Sequence, residues 1–382
     1  MPELITCNQC GNEVPRLRFC IRCGDPLADE YKAESVKEDR RRFAAAPDER
    51  VNSVALVSTL FPQLPRADMR SFRLAFALGV AIIVGLALIG FYPIALASAA
   101  VLVPLLMVLY LWDVDIYEDE PLTTLGATML WGALAGIAYG WLARGLPGAT
   151  GFGPSDLTSI LLPGVAMPII EGALMLAGPL LLLRWKRFND ALDGATFGAA
   201  SAVSFTGTHL IVQALPIFGA GLRPAGDPLP WIVQLLSLGV LQPVIAAGAV
   251  GSFAAALWLR YRSPVNDRNA LGVLGQPAGA LVGALVLLIA AGLAKTLLTL
   301  IPQTLVLAVI AVVALLWLRR VLHLGLLQES REMSVGREMR CPNCGLVTPE
   351  HTFCGQCGVS LRALPRSRRA AAPDAPAPSK AD

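Results

Sequence analysis

The sequence predicts an all-α polytopic membrane protein of about eight transmembrane helices, with a small zinc ribbon of four cysteines at each terminus. Two observations predict this fold class. Hydrophobic residues make up 55% of the 382-residue chain and charged residues only 15%, whereas soluble globular proteins have about 25% charged residues. All eight cysteines lie in two clusters near the chain ends. The composition excludes an ordinary soluble enzyme, because most of the chain is suited to lipid rather than water.

Eight apolar runs are long enough to cross a bilayer, which takes about 20 helical residues. The two longest would tilt, or would kink at Pro163, Pro168 and Pro243, without adding a ninth span. No paired broken helices and no internal repeat of the spans are visible in the sequence. The runs cover residues 73–92, 94–112, 123–146, 157–183, 195–215, 231–259, 271–294 and 297–318.

The two cysteine clusters have the same spacing, C-x2-C-x9-C-x2-C. Glycine follows the second and fourth cysteine of each cluster, and Phe19 or Phe353 precedes the third. Such a pair of knuckles holds four thiolates about 2.3 Å from one Zn²⁺, and the glycines let the backbone turn toward the sulfurs. One zinc ion per cluster is predicted, and disulfide pairing is the alternative. The predicted metal ligands are Cys7, Cys10, Cys20, Cys23, Cys341, Cys344, Cys354 and Cys357.

The clusters resemble the small zinc-ribbon modules found at the ends of many bacterial membrane proteins. Cysteine occupies all four positions of each cluster, so neither has the open coordination site of a catalytic zinc, and two structural ions are expected. Binding them would lower the formal net charge of +3 to about −1. The charge therefore predicts no specific nucleic-acid partner. The expected partners are the lipid bilayer and a cytoplasmic or membrane protein that binds the ribbons.

Charge and proline content divide the rest of the chain. Residues 25–50 are dense in charge and predict a solvated helix or linker, and 51–71 are expected to lie along the membrane surface. The Pro/Ala/Arg tail has nothing to bury and should be disordered. The predicted boundaries are 1–26 for the N-terminal ribbon, 27–71 for a juxtamembrane linker, 72–320 for the membrane domain, 321–340 for a second linker, 341–362 for the C-terminal ribbon and 363–382 for the tail.

Basic residues predict the orientation of the spans. The chain start, MPELITCNQC, has no feature of a cleaved signal peptide. The connections after the fourth, sixth and eighth spans carry Arg184, Lys186, Arg187, Arg260, Arg262, Arg268, Arg319 and Arg320, and the opposite connections carry only Arg144, Arg223 and Lys295. The positive-inside rule then predicts a multi-pass plasma-membrane protein with both termini in the cytoplasm. That compartment keeps thiolates available to zinc.

Two ionisable residues within the spans are the candidate catalytic groups, Glu171 in the fourth and His209 in the fifth. A charged group at the bilayer centre costs about 2.5–3.5 kcal/mol, which makes each a pointer to function. They lie roughly 18 and 21 Å from the cytoplasmic ends of their helices, so that on antiparallel neighbours they could meet. One interpretation is a proton-transferring pair or a site for a third metal ion. The other is a structural pair, since two ligands are few for zinc.

Glycines at four-residue spacing mark two helices for close packing in lipid. The packing could be within one chain or between two copies. The two series are Gly132, Gly136 and Gly140, and Gly275, Gly279 and Gly283.

The acidic segment Asp113 to Glu120 could bind a divalent cation or a basic peptide, or it could be a solvated helix end. Asp193 is predicted to be the N-cap of the fifth helix rather than a catalytic acid.

The stretch from Pro168 to Glu171, the segment 187–205 and His209 resemble the core of the PrsW-type intramembrane proteases, relatives of the CAAX-processing proteases. The resemblance spans residues 113–260 and includes the acidic segment before the core. It implies a metal-dependent peptidase in which Glu171 matches the first acid of the family's glutamate pair. Here Gly172 and Met175 replace the second glutamate and the basic residue, and the later spans contain no histidine.

Three functions follow from these observations. The favoured one is a non-catalytic membrane scaffold or regulator that binds a protein partner through its ribbons. The second is a divergent intramembrane metallopeptidase that uses Glu171, His209 and an acid from the 113–120 segment. The third is a transporter in which Glu171 and His209 relay protons.

Overall fold

The computed structural model describes residues 4–7, 11–24, 26–27, 42–43, 46–61, 70–114, 122–144, 157–186, 188, 190–219, 221–223, 227–262, 271–332, 335–341, 344–358 and 361. Contacts divide the chain into two compact units. The ribbon unit comprises Met1–Arg70, Tyr110–Glu118 and Leu322–Asp382, and the helical bundle comprises Ser71–Leu109 and Asp119–Val321. The predicted disordered tail lies outside the described residues.

The ribbon unit contains two similar antiparallel hairpins. In the first, β1 (Leu4–Thr6) pairs with β2 (Glu13–Pro15), and Ile5 lies opposite Val14. In the second, β5 (Glu338–Arg340) pairs with β6 (Val347–Pro349), and Met339 lies opposite Thr348. In each cluster, the first two cysteine positions lie in the connection between the two strands of the hairpin.

A third hairpin lies at the end of the segment 25–50, for which the sequence predicts a solvated helix or linker. Here β3 (Arg42–Phe43) pairs with β4 (Ala46–Arg50). Pro47 has no N–H to donate and disfavours a helix through this segment. A short helix, α1 (Leu56–Leu60), follows, and Ser58 Oγ donates a hydrogen bond to Glu49 Oε2 at 2.5 Å. Residues 28–41 and 62–69 lie outside the described part of the chain.

The helical segments follow the predicted apolar runs. The last helix continues into residues that were expected to form a linker, and η labels the short π or 3-10 segments. In order they are α2 (Arg70–Leu88), α3 (Tyr92–Val114), α4 (Leu122–Ala143), α5 (Leu157–Leu161), η1 (Leu162–Ala166, π), α6 (Met167–Leu182), α7 (Ala191–Gly219), α8 (Pro228–Leu236), η2 (Ser237–Leu241, π), α9 (Gln242–Tyr261), η3 (Gly272–Gly275, 3-10), α10 (Pro277–Leu297) and α11 (Leu300–Glu332).

Within the described residues, seven helical segments are long and apolar enough to cross a membrane. They correspond to the second through eighth predicted spans. The first predicted span is the apolar part of α2, Phe72–Leu88, which is shorter than the others. The chain is therefore a membrane protein built from apolar helices, as the composition predicts.

Two of the crossing segments are interrupted by π-helical turns. The η1 turn contains Pro163 and is followed by Pro168, and η2 is followed by Pro243. These are the three prolines at which the sequence predicts kinks, and proline and π turns are the usual causes of kinks. Each of these two segments nevertheless remains one continuous helix long enough to cross the membrane. Single π turns are frequent at functional sites.

The first glycine series packs α4 against α7 within one chain, which is one of the two predicted alternatives. A Cβ atom at Gly132 would lie 2.2 Å from the Ser201 carbonyl oxygen, and one at Gly136 would lie 2.4 Å from that of Phe205. Hydrogen bonds also link these helices, because Thr208 Oγ1 donates to the Ala133 carbonyl at 2.9 Å. Glycine is required here because the two backbones touch.

The second glycine series does not form a single helix face, contrary to the prediction. Gly275 lies in η3, ahead of the first residue of α10, Pro277. A Cβ at Gly279 would meet the Val273 carbonyl of that turn, and one at Gly283 would meet the Trp317 ring of α11. Proline at the first helical position fixes the start of α10 after Gly275, so the series is split.

Asp193 has a capping role different from the predicted one. The α7 helix begins at Ala191, and Asp193 Oδ2 accepts a hydrogen bond from the Asp190 backbone N–H at 3.1 Å. This is the reciprocal half of a capping box, in which the third helical residue satisfies the N–H of the residue before the helix. Asp193 is thus the third residue of α7 and not its N-cap.

Candidate functional site

All four predicted cysteine knuckles close with the same hydrogen bond. The N–H of the glycine after the second or fourth cysteine donates to the carbonyl of the first or third cysteine, at 2.8 or 2.9 Å. Every one of these glycines has a φ between 70° and 75°, a left-handed conformation that side chains disfavour. The donors are Gly11, Gly24, Gly345 and Gly358.

The cysteine sulfurs lie at the separations that one tetrahedral metal ion requires. Cys7 and Cys23 Sγ are 3.7 Å apart, Cys341 and Cys357 are 3.8 Å apart, and Cys344 and Cys354 are 3.9 Å apart. Four sulfurs about 2.3 Å from one Zn²⁺ would be about 3.8 Å apart. A disulfide needs about 2.05 Å, so the sulfurs fit a metal ion and not the disulfide alternative.

Seven of the eight predicted ligands can be placed. In the first ribbon Cys7, Cys20 and Cys23 bring their sulfurs together, and Cys10 lies outside the described residues. In the second ribbon all four sulfurs lie within 4.8 Å of one another. Both groups can therefore hold a metal ion.

Hydrogen bonds prepare Cys354 to act as a metal ligand. The bond with the Cys341 side chain is the main cause that lowers the pKa of Cys354 to about 5, and backbone N–H groups of Gln356 and Cys357 act in the same direction. The Gln356 N–H lies 3.4 Å from the sulfur. Burial acts in the opposite direction. The result is a thiolate at neutral pH, the form that binds metals.

The two ribbons bind each other through matching segments. The Phe19 N–H donates to the Gly355 carbonyl, and the Phe353 N–H donates to the Ile21 carbonyl, both at 2.9 Å. Phe353 stands in the second cluster where Phe19 stands in the first, and Gly355 stands where Ile21 does. The two bonds are therefore related by an approximate twofold axis between the ribbons.

Side chains at this contact also interlock reciprocally. The Phe353 ring covers Gly24, and the Phe19 ring covers the equivalent Gly358. A Cβ at Gly355 would lie 2.3 Å from Leu17 Cδ1. Phe353 and Ile21 are fully buried. The sequence contained the repeat but no signal that the two copies would pair.

In the helical bundle, the structure brings Glu171 and His209 together, as their predicted depths allow. His209 Nδ1 lies 3.7 Å from Glu171 Oε1, an ion-pair distance that is too long for a hydrogen bond. Both residues are more than 90% buried. His209 also meets the Tyr139 ring edge to face at 5.1 Å, and its Nε2 has no hydrogen-bond partner among the described residues.

Lys295 and Gln242 complete this cluster, and sequence reasoning missed both roles. Lys295 Nζ donates to Gln242 Oε1 at 2.8 Å and interacts electrostatically with Glu171. The Tyr139 hydroxyl also faces Glu171, but it does not meet hydrogen-bond geometry. The prediction assigned Lys295 to an outer connection, whereas it lies in the last turn of α10. The apolar residues on both sides of Lys295 were the available signal.

The basic residues at the bundle ends form hydrogen bonds with neighbouring helices. Arg262, at the end of α9, donates through Nε to the Leu183 carbonyl at the end of α6 at 2.6 Å. At the predicted outer side, Arg144 donates to the Val212 carbonyl. Residues 115–121, which include most of the predicted acidic segment, lie outside the described residues.

Comparison with known proteins adds no relative. No family model matches the chain, and no curated protein or solved structure matches it. The resemblance to the PrsW-type proteases therefore stays a prediction.

Proposed function

We propose that this chain is a plasma-membrane scaffold or regulator without catalytic activity, which holds two structural zinc ions in cytoplasmic ribbons and binds a protein partner through them. Its apolar helices anchor the ribbons to the bilayer. In this proposal the cluster around Glu171 and His209 fixes the packing of the helices.

The ammonium group of Lys295 is the observation that carries this proposal. A peptidase centre needs a divalent cation beside the glutamate and histidine, and usually three protein ligands. Lys295 is a cation that interacts with Glu171 and would repel a divalent ion near the same carboxylate. Lys295 already donates a hydrogen bond to Gln242, so this amide oxygen has a partner without a metal.

Exposed apolar side chains on the ribbons support a protein partner. Leu4 in β1 is 58% exposed, and Leu346, just before β6, is 50% exposed. The ribbon–ribbon contact leaves both side chains exposed for another protein.

Photo-crosslinking tests for this partner. A photo-crosslinking residue at Leu346 should form adducts of defined mass in cells, whereas the same residue at Leu222, in the connection before α8, should not. Equal adducts at both positions would contradict a specific partner.

Metal analysis of the purified full-length protein tests the absence of a catalytic centre. We expect two zinc ions per chain, and the same number in Glu171→Gln. Three zinc ions, with one lost in Glu171→Gln, would overturn the proposal.

The second candidate is a divergent, PrsW-like intramembrane metallopeptidase. The close approach of His209 to Glu171 favours it. If it is correct, Glu171→Gln keeps the fold but abolishes cleavage of a membrane substrate, because an amide cannot accept the proton of a metal-bound water. Cleavage by the wild type but not by Glu171→Gln would establish this alternative.

A further inference from the structure

Each ribbon contributes its metal-binding segment to the contact with the other ribbon. The four residues whose backbones form the two reciprocal hydrogen bonds flank the third cysteine of each cluster. Phe19 and Ile21 enclose Cys20, and Phe353 and Gly355 enclose Cys354. The geometry that the metal imposes on these cysteines is thus also the geometry that the contact needs.

We propose that the two ribbons form one zinc-dependent clasp, in which each ribbon stabilises the zinc bound to the other. Loss of zinc from either ribbon would then release both chain ends. This inference does not depend on the proposed scaffold function, since it concerns only the contact between the ribbons.

The coupling follows from what each ribbon would lose alone. A ribbon of about 20 residues has too small a core to fold without metal. If the second ribbon unfolded, Ile21 would lose its cover and the Phe19 N–H would lose its acceptor. The first ribbon would then hold its metal less firmly. Linkage makes the effect reciprocal, so the same loss applies in the other direction.

The chain offers a variant that disturbs the contact without disturbing a ribbon. Gly355 has no positive φ, and the equivalent residue of the first ribbon is Ile21, so the ribbon backbone accepts isoleucine at this position. Gly355→Ile therefore fits its own ribbon but collides with Leu17 and Ile21 across the contact. The matched control is Arg340→Thr, which also takes the equivalent first-ribbon residue, Thr6, at an exposed position.

The experiment measures zinc release from the full-length protein in detergent after addition of excess chelator. Alkylation and peptide mapping identify the ribbon that has opened. We expect Gly355→Ile to bind two zinc ions but to release both roughly tenfold faster than the wild type, within the range typical of coupled sites. Arg340→Thr should release zinc at the wild-type rate. Faster release from the second ribbon alone would overturn the proposal.

Cys354→Ser provides an independent test, because it removes a ligand of the second ribbon only. The clasp predicts that the first ribbon then loses its zinc roughly tenfold faster or purifies without it. Retention of one zinc with wild-type release kinetics would show that the ribbons are independent and would overturn the proposal.

Light scattering of the full-length protein in detergent should give one copy of the chain per particle. A dimer with release rates that rise on dilution would assign the contact to two copies and overturn a clasp within one chain.

Discussion

Glu171 is a carboxylate in an apolar bundle, and the groups around it determine whether it can remain charged there. His209 lies at ion-pair distance from it, and Lys295 interacts with it electrostatically while donating a hydrogen bond to Gln242. A buried charge whose partner is removed destabilises a protein by about 3–5 kcal/mol, whereas replacement of both partners by neutral groups is often tolerated. If the cluster has a structural role, the effect of its substitutions on the free energy of unfolding can therefore be predicted.

We predict that Glu171→Gln and Lys295→Met are each destabilising, because each leaves the opposite charge uncompensated. The double variant should be less destabilised than the sum of the two by at least about 1 kcal/mol. Thermal or denaturant unfolding in detergent measures the free energies of unfolding. Additive effects would show that the two side chains do not compensate each other.

Sequence reasoning predicted part of this cluster. Helix rise alone brings Glu171 and His209 to similar depths, and the structure confirms that they meet. Sequence reasoning could not predict that the Lys295 side chain joins the cluster, because a lysine two residues from a helix end can extend to water or turn inward. The position of Gln242 on a neighbouring helix decides between these two orientations, and no sequence pattern gives the rotation of one helix against another.

At the scale of helices, the contact between α4 and α7 depends on the absence of side chains at three positions of α4. The sequence predicted that the first glycine series mediates close packing, but left open whether the packing is within one chain or between two copies. The prediction that the second glycine series lies on one helix was wrong, because α10 begins at Pro277, after Gly275. Periodic spacing indicates a close contact only where the whole series lies in one helix.

We predict that Gly136→Ala destabilises the bundle by about 1–3 kcal/mol, the usual cost of overpacking. The new methyl group would lie 2.4 Å from the Phe205 carbonyl oxygen. Unfolding in detergent measures this change.

Gly126→Ala is the control, since it lies in the same helix and a Cβ there meets nothing within 4 Å. Its effect should stay below about 1 kcal/mol, the difference in helix propensity between glycine and alanine. Equal destabilisation by both variants would contradict a specific contact between α4 and α7.

At the scale of the whole chain, the paired ribbons constrain the topology. Two segments that form hydrogen bonds with each other lie in one aqueous compartment, so the chain between them crosses the membrane an even number of times. Seven described segments are long enough to cross. The remaining apolar helix is α2, whose residues Phe72–Leu88 reach about 26 Å and meet the lower limit of about 17 residues for a span.

We therefore predict that α2 crosses the membrane as the eighth span and that both ribbons lie on the same side. Cysteines introduced at Val54 and Val335, both exposed, should be labelled by an impermeant reagent from one side. Cysteines at Ile89 and Leu222, which are also exposed, should be labelled only from the other side. Peptide mapping separates these sites from the ribbon cysteines, which stay in place to keep the clasp closed.

The control for leakage of the reagent is the pair Ile89 and Leu222. Four crossings separate these two positions, so they must be labelled from the same side whether or not α2 crosses. Labelling of Val54 and Ile89 from the same side would show that α2 does not cross. The two ribbons of one chain would then lie on opposite sides of the membrane and could not pair.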